Sequence, residues 1–419
     1  MSTAAQPSSH ETPSAPLHPI IGRALAAFHY RDFRVLWFGA FTSTVGNWMQ
    51  QVAQAWLVFE LTKSEWYLGL DYFFGQLPIL LLTLIGGVVA DRYDRRYVLL
   101  GSQLIQMTTA FTLALLVYFN HIAVAEILLL SFIAGLGQAF GGPAYQALIP
   151  SLVQKKDLPN AIALNSIQFN LARVFGPLLA GVTLAAWGGA ACFGLNGLSF
   201  LVVIVALLSM TIRQVKPPQK SLVDELKGGL RYTKGQPTIV SLAVLGGLTT
   251  FLGLPLLTFL PVFAKDIFHG DINRYSHMMA FSGAGAVCGA LIVAWLGRFR
   301  HMGRVLLLTQ AAFGILVTAF AVTRVGWLSD AILFGTGATL LMTFSMTASL
   351  VQLIVTDELR GRVMSIYMVA FRGGMPLGSL AAGYVASRLS APVVLEVNGM
   401  LILAVSIYFL IRSHGVREL

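Results

Sequence analysis

The feature that most constrains this chain is the regular recurrence of apolar segments long enough to cross a lipid bilayer. From Phe33 onward, apolar stretches of about 20 residues alternate with short polar breaks, and about 20 residues of α-helix span the hydrocarbon core of a membrane. Only 11% of the 419 residues are charged, compared with about 25% in soluble domains. We therefore expect an all-α membrane protein, and the composition excludes a water-soluble enzyme, a disordered protein and a fibrous protein.

Twelve transmembrane helices are predicted, in two pseudo-symmetric halves of six. They lie at residues 33–60, 67–90, 97–119, 123–150, 161–187, 190–212, 239–264, 275–297, 304–323, 327–355, 363–388 and 392–411. The expected domains are a disordered cytoplasmic tail at 1–22, a six-helix half at 23–212, a cytoplasmic linker at 213–238 and a six-helix half at 239–419.

The linker carries leucines at helical spacing, Leu222, Leu226 and Leu230, opposite a charged face. This pattern favours an amphipathic helix that lies on the inner membrane surface. A solvated helix that only tethers the two halves is the alternative.

The basic residues of the loops predict the orientation of the chain. With the N-terminus inside, 21 Lys and Arg residues fall in cytoplasmic segments and 5 fall in outer loops. Cytoplasmic loops of membrane proteins carry such an excess, so both termini are expected in the cytoplasm. The net charge of +10 is accounted for in this way, and no nucleic-acid partner is expected.

The two halves share a short sequence pattern at an offset of 199 residues. Five residues of the fifth predicted helix recur in the eleventh, namely Ser166 and Ser365, Ile167 and Ile366, Arg173 and Arg372, Pro177 and Pro376, and Leu178 and Leu377. Helix five of one half thus matches helix five of the other. Halves related by an axis along the membrane normal are typical of secondary transporters.

The polar break between the second and third predicted helices is rich in charge and reads GVVADRYDRRYVL, starting at Gly87. Gly87 is expected to let helix backbones approach closely. Asp91 can accept hydrogen bonds at the N-terminus of a neighbouring helix. Arg92, Arg95 and Arg96 can pair with carboxylates or anionic headgroups.

This break resembles the signature loop of the major facilitator superfamily, G-x-x-x-D-R-x-G-R-[RK]. The resemblance lies in its sequence, in its expected location on the cytoplasmic side and in its position between the second and third helices. Asp94 stands where many members have glycine, so the turn need not be the usual one. The resemblance implies that the cluster latches the cytoplasmic side while the protein faces outward. The counterpart in the second half, residues 297–304, has lost the acidic residue.

Further segments narrow the resemblance. They are YRDFRVLW at the start of the first helix, GNWM and WLVFELT within it, and RGRVMS before the eleventh. They resemble the drug:proton antiporter branch that includes the enterobactin exporter and macrolide-efflux proteins. The resemblance implies a monomeric, proton-coupled exporter of small amphipathic molecules of drug or siderophore type, working by alternating access in the plasma membrane, which is the inner membrane of a Gram-negative bacterium.

Two other functions remain open at this point. A proton-coupled importer of the same fold is the first. An intramembrane enzyme is the second, but the sequence has neither an H-E-x-x-H zinc motif nor a phosphate-binding P-loop motif,. No cofactor and no metal are therefore expected.

Gly176 and Pro177 in the fifth helix partly match the G-x-x-x-G-P-x-x-G-G motif of antiporters, and Pro376 is the counterpart in the eleventh. A Gly-Pro pair kinks a helix and allows tight packing. A kink with no bearing on the direction of transport is the alternative.

Few polar residues within the predicted spans are candidates for the transport site. Charges in the bilayer are costly, so Arg173 and Arg372 are expected either to bind an anionic substrate group, to pair with a carboxylate, or to bond backbone carbonyls between helices. Asp71, with Gln76 nearby, and Asn47 are candidates for the cavity or for proton coupling. Glu60 is expected to be a solvated residue at a helix end.

A topology experiment tests the orientation. A reporter fused after Leu419 should be active only in the cytoplasm, and a fusion near Asn120 should report from the outside, because the basic loops are retained inside. Reporter signals from the same side for both fusions would show that the number of spans is wrong.

Overall fold

The computed structural model describes residues 25–210, 232–233, 235–297, 299–356, 359–412 and 414–419. The predicted tail at 1–22 lies outside these residues. The predicted amphipathic helix of the linker lies outside them as well, because residues 211–231 are not described.

The described residues form helices with no strand among them, and twelve of the helices are long enough to be membrane spans. Nine are α1 (Arg31–Thr62), α2 (Glu65–Arg92), α3 (Arg95–Tyr118), α4 (Val124–Leu148), α8 (Ile272–Leu296), α9 (Met302–Val322), α10 (Gly326–Ile354), α11 (Arg360–Ala386) and α12 (Ala391–Arg412). The short helices Ala26–His29, Ile149–Ser151 and His414–Arg417 flank them.

The other three spans deviate from simple helices. The run Leu158–Ser209 is interrupted at Gly188, where φ is 79°, a left-handed value that glycine adopts at little cost. This single residue separates α5 (158–187) from α6 (189–209). The seventh span, α7 (Pro237–Ile267), ends in a π-helical turn at Phe263–Ile267.

Hydropathy separates two of the twelve helices from the rest. Among the described residues, α1 and α11 are the long helices whose composition is not apolar enough to identify them as membrane spans. The other long helices are apolar enough. These two helices carry Asn47, Gln50, Gln54 and Arg372, so their lower hydropathy comes from residues that a lipid-facing helix does not need.

The two halves are joined by two helix pairs. Helix α2 packs against α11, and the Leu158–Ser209 run packs against α8. The second and fifth helices of one half thus meet the fifth and second helices of the other. This reciprocal pairing is what a pseudo-two-fold axis along the membrane normal produces.

The hydrophobic core shows where the halves meet. One cluster contains residues of both halves, such as Phe59 and Leu113 together with Phe259 and Phe320. Two further clusters are each confined to one half and include the helix ends near Leu99 in the first case and Val363 in the second. The bundle is therefore closed at one end, called here the closed end, and divided at the end that carries Arg95 and Arg360, called here the basic end.

Candidate functional site

One face of α2 follows the boundary between the halves. Gly69 and Gly87 are 18 residues apart, about five helical turns, and so share this face. A Cβ at Gly69 would lie 2.6 Å from the Ser379 carbonyl oxygen of α11, whereas a Cβ at Gly87 would have nothing within 4 Å. Between them, a Cβ at Gly373 of α11 would lie 3.6 Å from the side chain of Leu80. Helices α2 and α11 thus touch at the closed end and leave an open cleft at the basic end.

The predicted close approach at Gly87 is therefore absent from this conformation. It lies one residue earlier, because a Cβ at Gly86 would stand 2.2 Å from the carbonyl oxygen of Ala139 in α4. Gly86 joins two helices of one half, and Gly87 faces the space between the halves.

The signature loop holds its charges in two different ways. Asp91 is well exposed, with 59% of its side-chain surface accessible, and its carboxylate lies 3.7 Å from the guanidinium of Arg95. Arg95 also donates to the carbonyl of Ala147 at 2.9 Å, and Arg96 donates to the carbonyl of Leu208 at 2.8 Å. Arg95 thus pairs with a carboxylate, as expected, and both arginines also anchor the start of α3 to the ends of α4 and α6.

Asp94 explains the departure from the family pattern at this turn. It occupies the N-cap position of α3, and its carboxylate accepts a hydrogen bond from the backbone N–H of Arg96 at 2.9 Å. Aspartate is among the best N-cap residues. Arg92 is exposed and forms no ion pair or hydrogen bond with a described residue.

Asp71 is the centre of a polar network inside the first half. Its oxygens accept hydrogen bonds from Gln54 of α1 at 2.8 and 3.0 Å and from Ser131 of α4 at 2.6 Å. The carboxyl group is thereby held between three helices.

The network continues along α1. Gln50 donates to Gln54 at 3.4 Å and accepts from Asn196 of α6 at 2.7 Å. Asn47 accepts from the same Asn196 amide at 3.3 Å, so this predicted candidate belongs to the network. Gln76, predicted to act with Asp71, forms no hydrogen bond with a described residue and is not brought to the carboxylate.

The two arginines of the repeated pattern lie on helices that form the boundary between the halves. Arg173 belongs to α5, which meets α8, and Arg372 belongs to α11, which meets α2. Arg173 lies over the indole ring of Trp48, 5.7 Å from the ring centroid. Arg372 is exposed, as are Met368 and Val369 on its face of α11. We take this exposure as the cleft, since the same face packs on α2 further along.

The two prolines of the repeated pattern affect the backbone at the two arginines. A proline removes the hydrogen bond to the carbonyl four residues earlier, and for Pro177 and Pro376 those carbonyls belong to Arg173 and Arg372. The backbone of α5 nonetheless stays helical through Pro177. Gly176 supplies the tight packing, because a Cβ there would lie 2.3 Å from the Cβ of Trp48.

A layer of ion pairs and aromatic contacts lies at the closed end of the bundle. Glu60 of α1 forms an ion pair with Lys265 of α7, and Lys63 pairs with the same carboxylate at 2.8 Å. The Lys265 ammonium lies 5.6 Å from the ring centroid of Trp56. The indole of Trp56 stacks on Tyr275 of α8 at 6.1 Å. Glu60, expected to be a solvated residue at a helix end, keeps 36% of its side-chain surface accessible, and its carboxylate also bridges the halves.

Sequence reasoning missed these bridging partners. Lys265 and Tyr275 each stand at the end of a predicted span, and nothing in the sequence pairs them with α1. Ser131 and Asn196 are small polar residues in apolar runs. The available signal was the series Asn47, Gln50 and Gln54, whose spacing of three and four residues marks one polar face of α1.

Comparison with known proteins gives consistent results. A family model described as transmembrane secretion effector, of the major facilitator superfamily, matches residues 22–416. The staphyloferrin A transporter of Staphylococcus aureus is 28% identical over 355 residues, covering 81% of this chain and 86% of the relative. Macrolide efflux protein A of Streptococcus pyogenes is 22% identical, covering 90% and 94%. The enterobactin exporter EntS of Citrobacter koseri is 25% identical, covering 92% of each chain.

A solved structure shares the fold. The bacterial homologue of the human lysosomal transporter Spinster, in its inward-facing and unoccupied conformation, superposes with a TM-score of 0.71 at 14% identity. The match covers 96% of this chain and 97% of that structure. This likeness supports the twelve-helix arrangement.

Cysteine accessibility tests whether the two arginines line the cleft. In a background with Cys192 and Cys288 replaced by alanine, cysteines at Arg173 and Arg372 should react with a small polar methanethiosulfonate reagent, because we expect both positions to border the cleft that is open at the basic end. A cysteine at Ala172, which is fully buried, is the control and should stay unreactive. Unreactive thiols at both arginine positions would mean that these side chains are packed between helices.

Proposed function

The chain belongs to the transmembrane secretion effector family of the major facilitator superfamily, and from this premise we propose that it is a proton-coupled exporter of small amphipathic molecules. Membership makes it a multi-pass membrane protein and a secondary transporter of small molecules rather than an enzyme. Export, proton coupling and the type of cargo are the parts that we propose.

The observation that best supports an alternating-access mechanism is the distribution of the hydrophobic core. A single cluster joins the halves at the closed end, and two separate clusters flank the cleft at the basic end. In a rigid-body rocking of the halves, the contact at the closed end opens and the two halves come together at the basic end. The region of the two arginines is then exposed to the other side of the membrane.

The orientation of the chain in the membrane follows from the distribution of its basic residues. The basic end carries the loops rich in Lys and Arg, which membrane proteins retain in the cytoplasm. We therefore place the basic end and both termini in the cytoplasm and the chain in the plasma membrane, as a monomer with two six-helix halves at 23–212 and 239–419. The described conformation then opens toward the cytoplasm, where an exporter takes up its cargo.

The named relatives support the type of cargo. Two of them are named for siderophores, staphyloferrin A and enterobactin, and one for macrolides. The three names describe a transporter, an efflux protein and an exporter of such compounds. We infer a cargo of the same drug or siderophore type.

Asp71 is the residue that we assign to proton coupling. Its carboxyl group is held by Gln54, two residues before Trp56 in α1. Trp56 and Tyr275 form the stacked pair of the closed end. Helix α1 thus connects the carboxyl group of Asp71 to the contact that must open.

The signature loop supplies the complementary latch on the cytoplasmic side. In the described conformation Asp91 is exposed and Gly87 faces open space. When the cleft closes, Gly87 meets α11 as Gly69 does now, and Asp91 meets the start of α11 at Arg360. The N-terminus of a helix is a favourable place for a carboxylate.

Everted membrane vesicles with an imposed pH gradient test export and proton coupling. With an acidic lumen, vesicles should accumulate at least one compound from a panel of dyes, macrolides and siderophores. Asp71→Asn should reduce accumulation to that of vesicles without the protein, because the exchangeable proton is lost. Asp32→Asn, at an acid whose ion pair among the described residues is with its neighbour Arg31, should behave as wild type. Release of preloaded compound on acidification of the lumen would indicate import instead.

A pair of glycine variants tests the cytoplasmic latch. Gly87→Leu should lower transport by at least about tenfold, because the side chain obstructs closure and overpacking costs about 1–3 kcal/mol. Folding should be unaffected, since the site is open in the described conformation. Gly101→Leu in α3, where space is equally open, is the matched control. Asp91→Asn should act like Gly87→Leu, and wild-type transport by both variants would disprove the latch.

A further inference from the structure

The charge of the cleft identifies the class of cargo, if the transport function proposed above holds. Arg173 of α5 and Arg372 of α11 occupy equivalent positions of the two halves, on the helices that pack against α8 and α2 at the boundary. Neither forms an ion pair or a hydrogen bond with a described residue. Arginine is retained in a membrane span where it meets water or a partner, so these two guanidinium groups are available to an anion that enters the cleft.

The nearest acidic candidate on the chain is already engaged. Both oxygens of Asp71 accept hydrogen bonds from Gln54, and one also accepts from Ser131. Other acidic side chains of the described spans lie close to helix ends, as Glu60, Asp330 and Glu396 do, and the first two form ion pairs with Lys265 and Arg274. The region around the two arginines therefore carries net positive charge.

Aromatic groups border the same region. Trp48 lies under the Arg173 guanidinium, and Phe169 meets Trp48 edge-on with 6.2 Å between ring centroids. A cation over an indole remains a full hydrogen-bond donor at its edge. This arrangement presents fixed donors beside an apolar surface, which suits a molecule with an anionic group on an apolar or aromatic body.

We propose that Arg173 and Arg372 form a two-armed anion site that bridges the halves, and that the cargo is an anionic amphiphile with carboxylate or similar paired anionic oxygens. The planar fork of a guanidinium matches two such oxygens. One arm comes from α5 and the other from α11, so the cargo contacts both halves at once. A cationic amphiphile of the same size and shape is disfavoured by like charge.

Two dyes with the same ring system separate these charge classes. Carboxyfluorescein is an anionic xanthene and rhodamine 6G is a cationic one. Their binding to the purified full-length protein in uncharged detergent can be measured by fluorescence anisotropy, with empty micelles subtracted. Wild type should bind carboxyfluorescein at least about tenfold more tightly than rhodamine 6G.

Variants connect this preference to the two arginines. Arg173→Gln and Arg372→Gln should each weaken carboxyfluorescein binding by about tenfold or more without weakening rhodamine 6G binding. Arg372→Lys should retain part of the affinity, since it keeps the charge and loses the fork. Arg388→Gln is the control, because Arg388 follows α11 at the closed end and lies over Tyr384. Gel-filtration profiles and melting temperatures report whether each variant is folded.

The outcomes are distinct from those of the vesicle assay. Equilibrium binding needs no pH gradient, so it is independent of proton coupling and of direction. Failure of wild type to bind carboxyfluorescein, tighter binding of rhodamine 6G, or unchanged carboxyfluorescein binding in folded Arg173→Gln and Arg372→Gln variants would overturn the anion site. Accumulation of cationic dyes alone in vesicles would leave the exporter intact and refute only the charge class.

Discussion

The close contact of helix backbones at the closed end is the interaction on which the other features depend. In lipid, apolar side chains gain little from leaving one apolar surface for another, so helices associate through small residues that allow tight packing. Gly69 and Gly383 bring α2 against α11. Gly181 and Gly283 bring α5 against α8. All four contacts lie between the halves, so their position decides which end of the cleft is open.

The cost of polar groups in a bilayer explains why function is concentrated in this cleft. A charged or amide side chain is retained in a span only where it meets water, another polar group or a ligand. Helices α1 and α11 are the ones whose hydropathy is too low for an unassisted span. They carry the Gln50–Gln54 face and Arg372, and both border the boundary between the halves. The two helices that are least suited to lipid therefore carry polar side chains that face the interior of the bundle or the boundary between the halves.

The sequence predicted the architecture well because span length is a local property. Apolar runs of about 20 residues, the repeated Arg-x-x-x-Pro pattern and the signature loop are each contained in one stretch of chain. The pairs that form the site are not local: Gln54 and Asp71 belong to different helices, and Glu60 meets Lys265 across the halves. Gly86 and Gly87 illustrate the limit, since adjacent glycines differ only in the helix face that each one presents.

The position of each proline relative to its arginine connects cargo binding to the motion of the halves. Pro177 leaves the carbonyl of Arg173 without its helical partner, and that oxygen points at Gly283 of α8, 2.8 Å from the position of a Cβ. The residue whose side chain faces the cleft is thus the residue whose backbone touches the other half. The repeated pattern places Pro376 in the same relation to Arg372. In the anion site that we propose, a cargo held at Arg173 acts on α5 at the point where this helix lacks a hydrogen bond and meets α8 of the other half,.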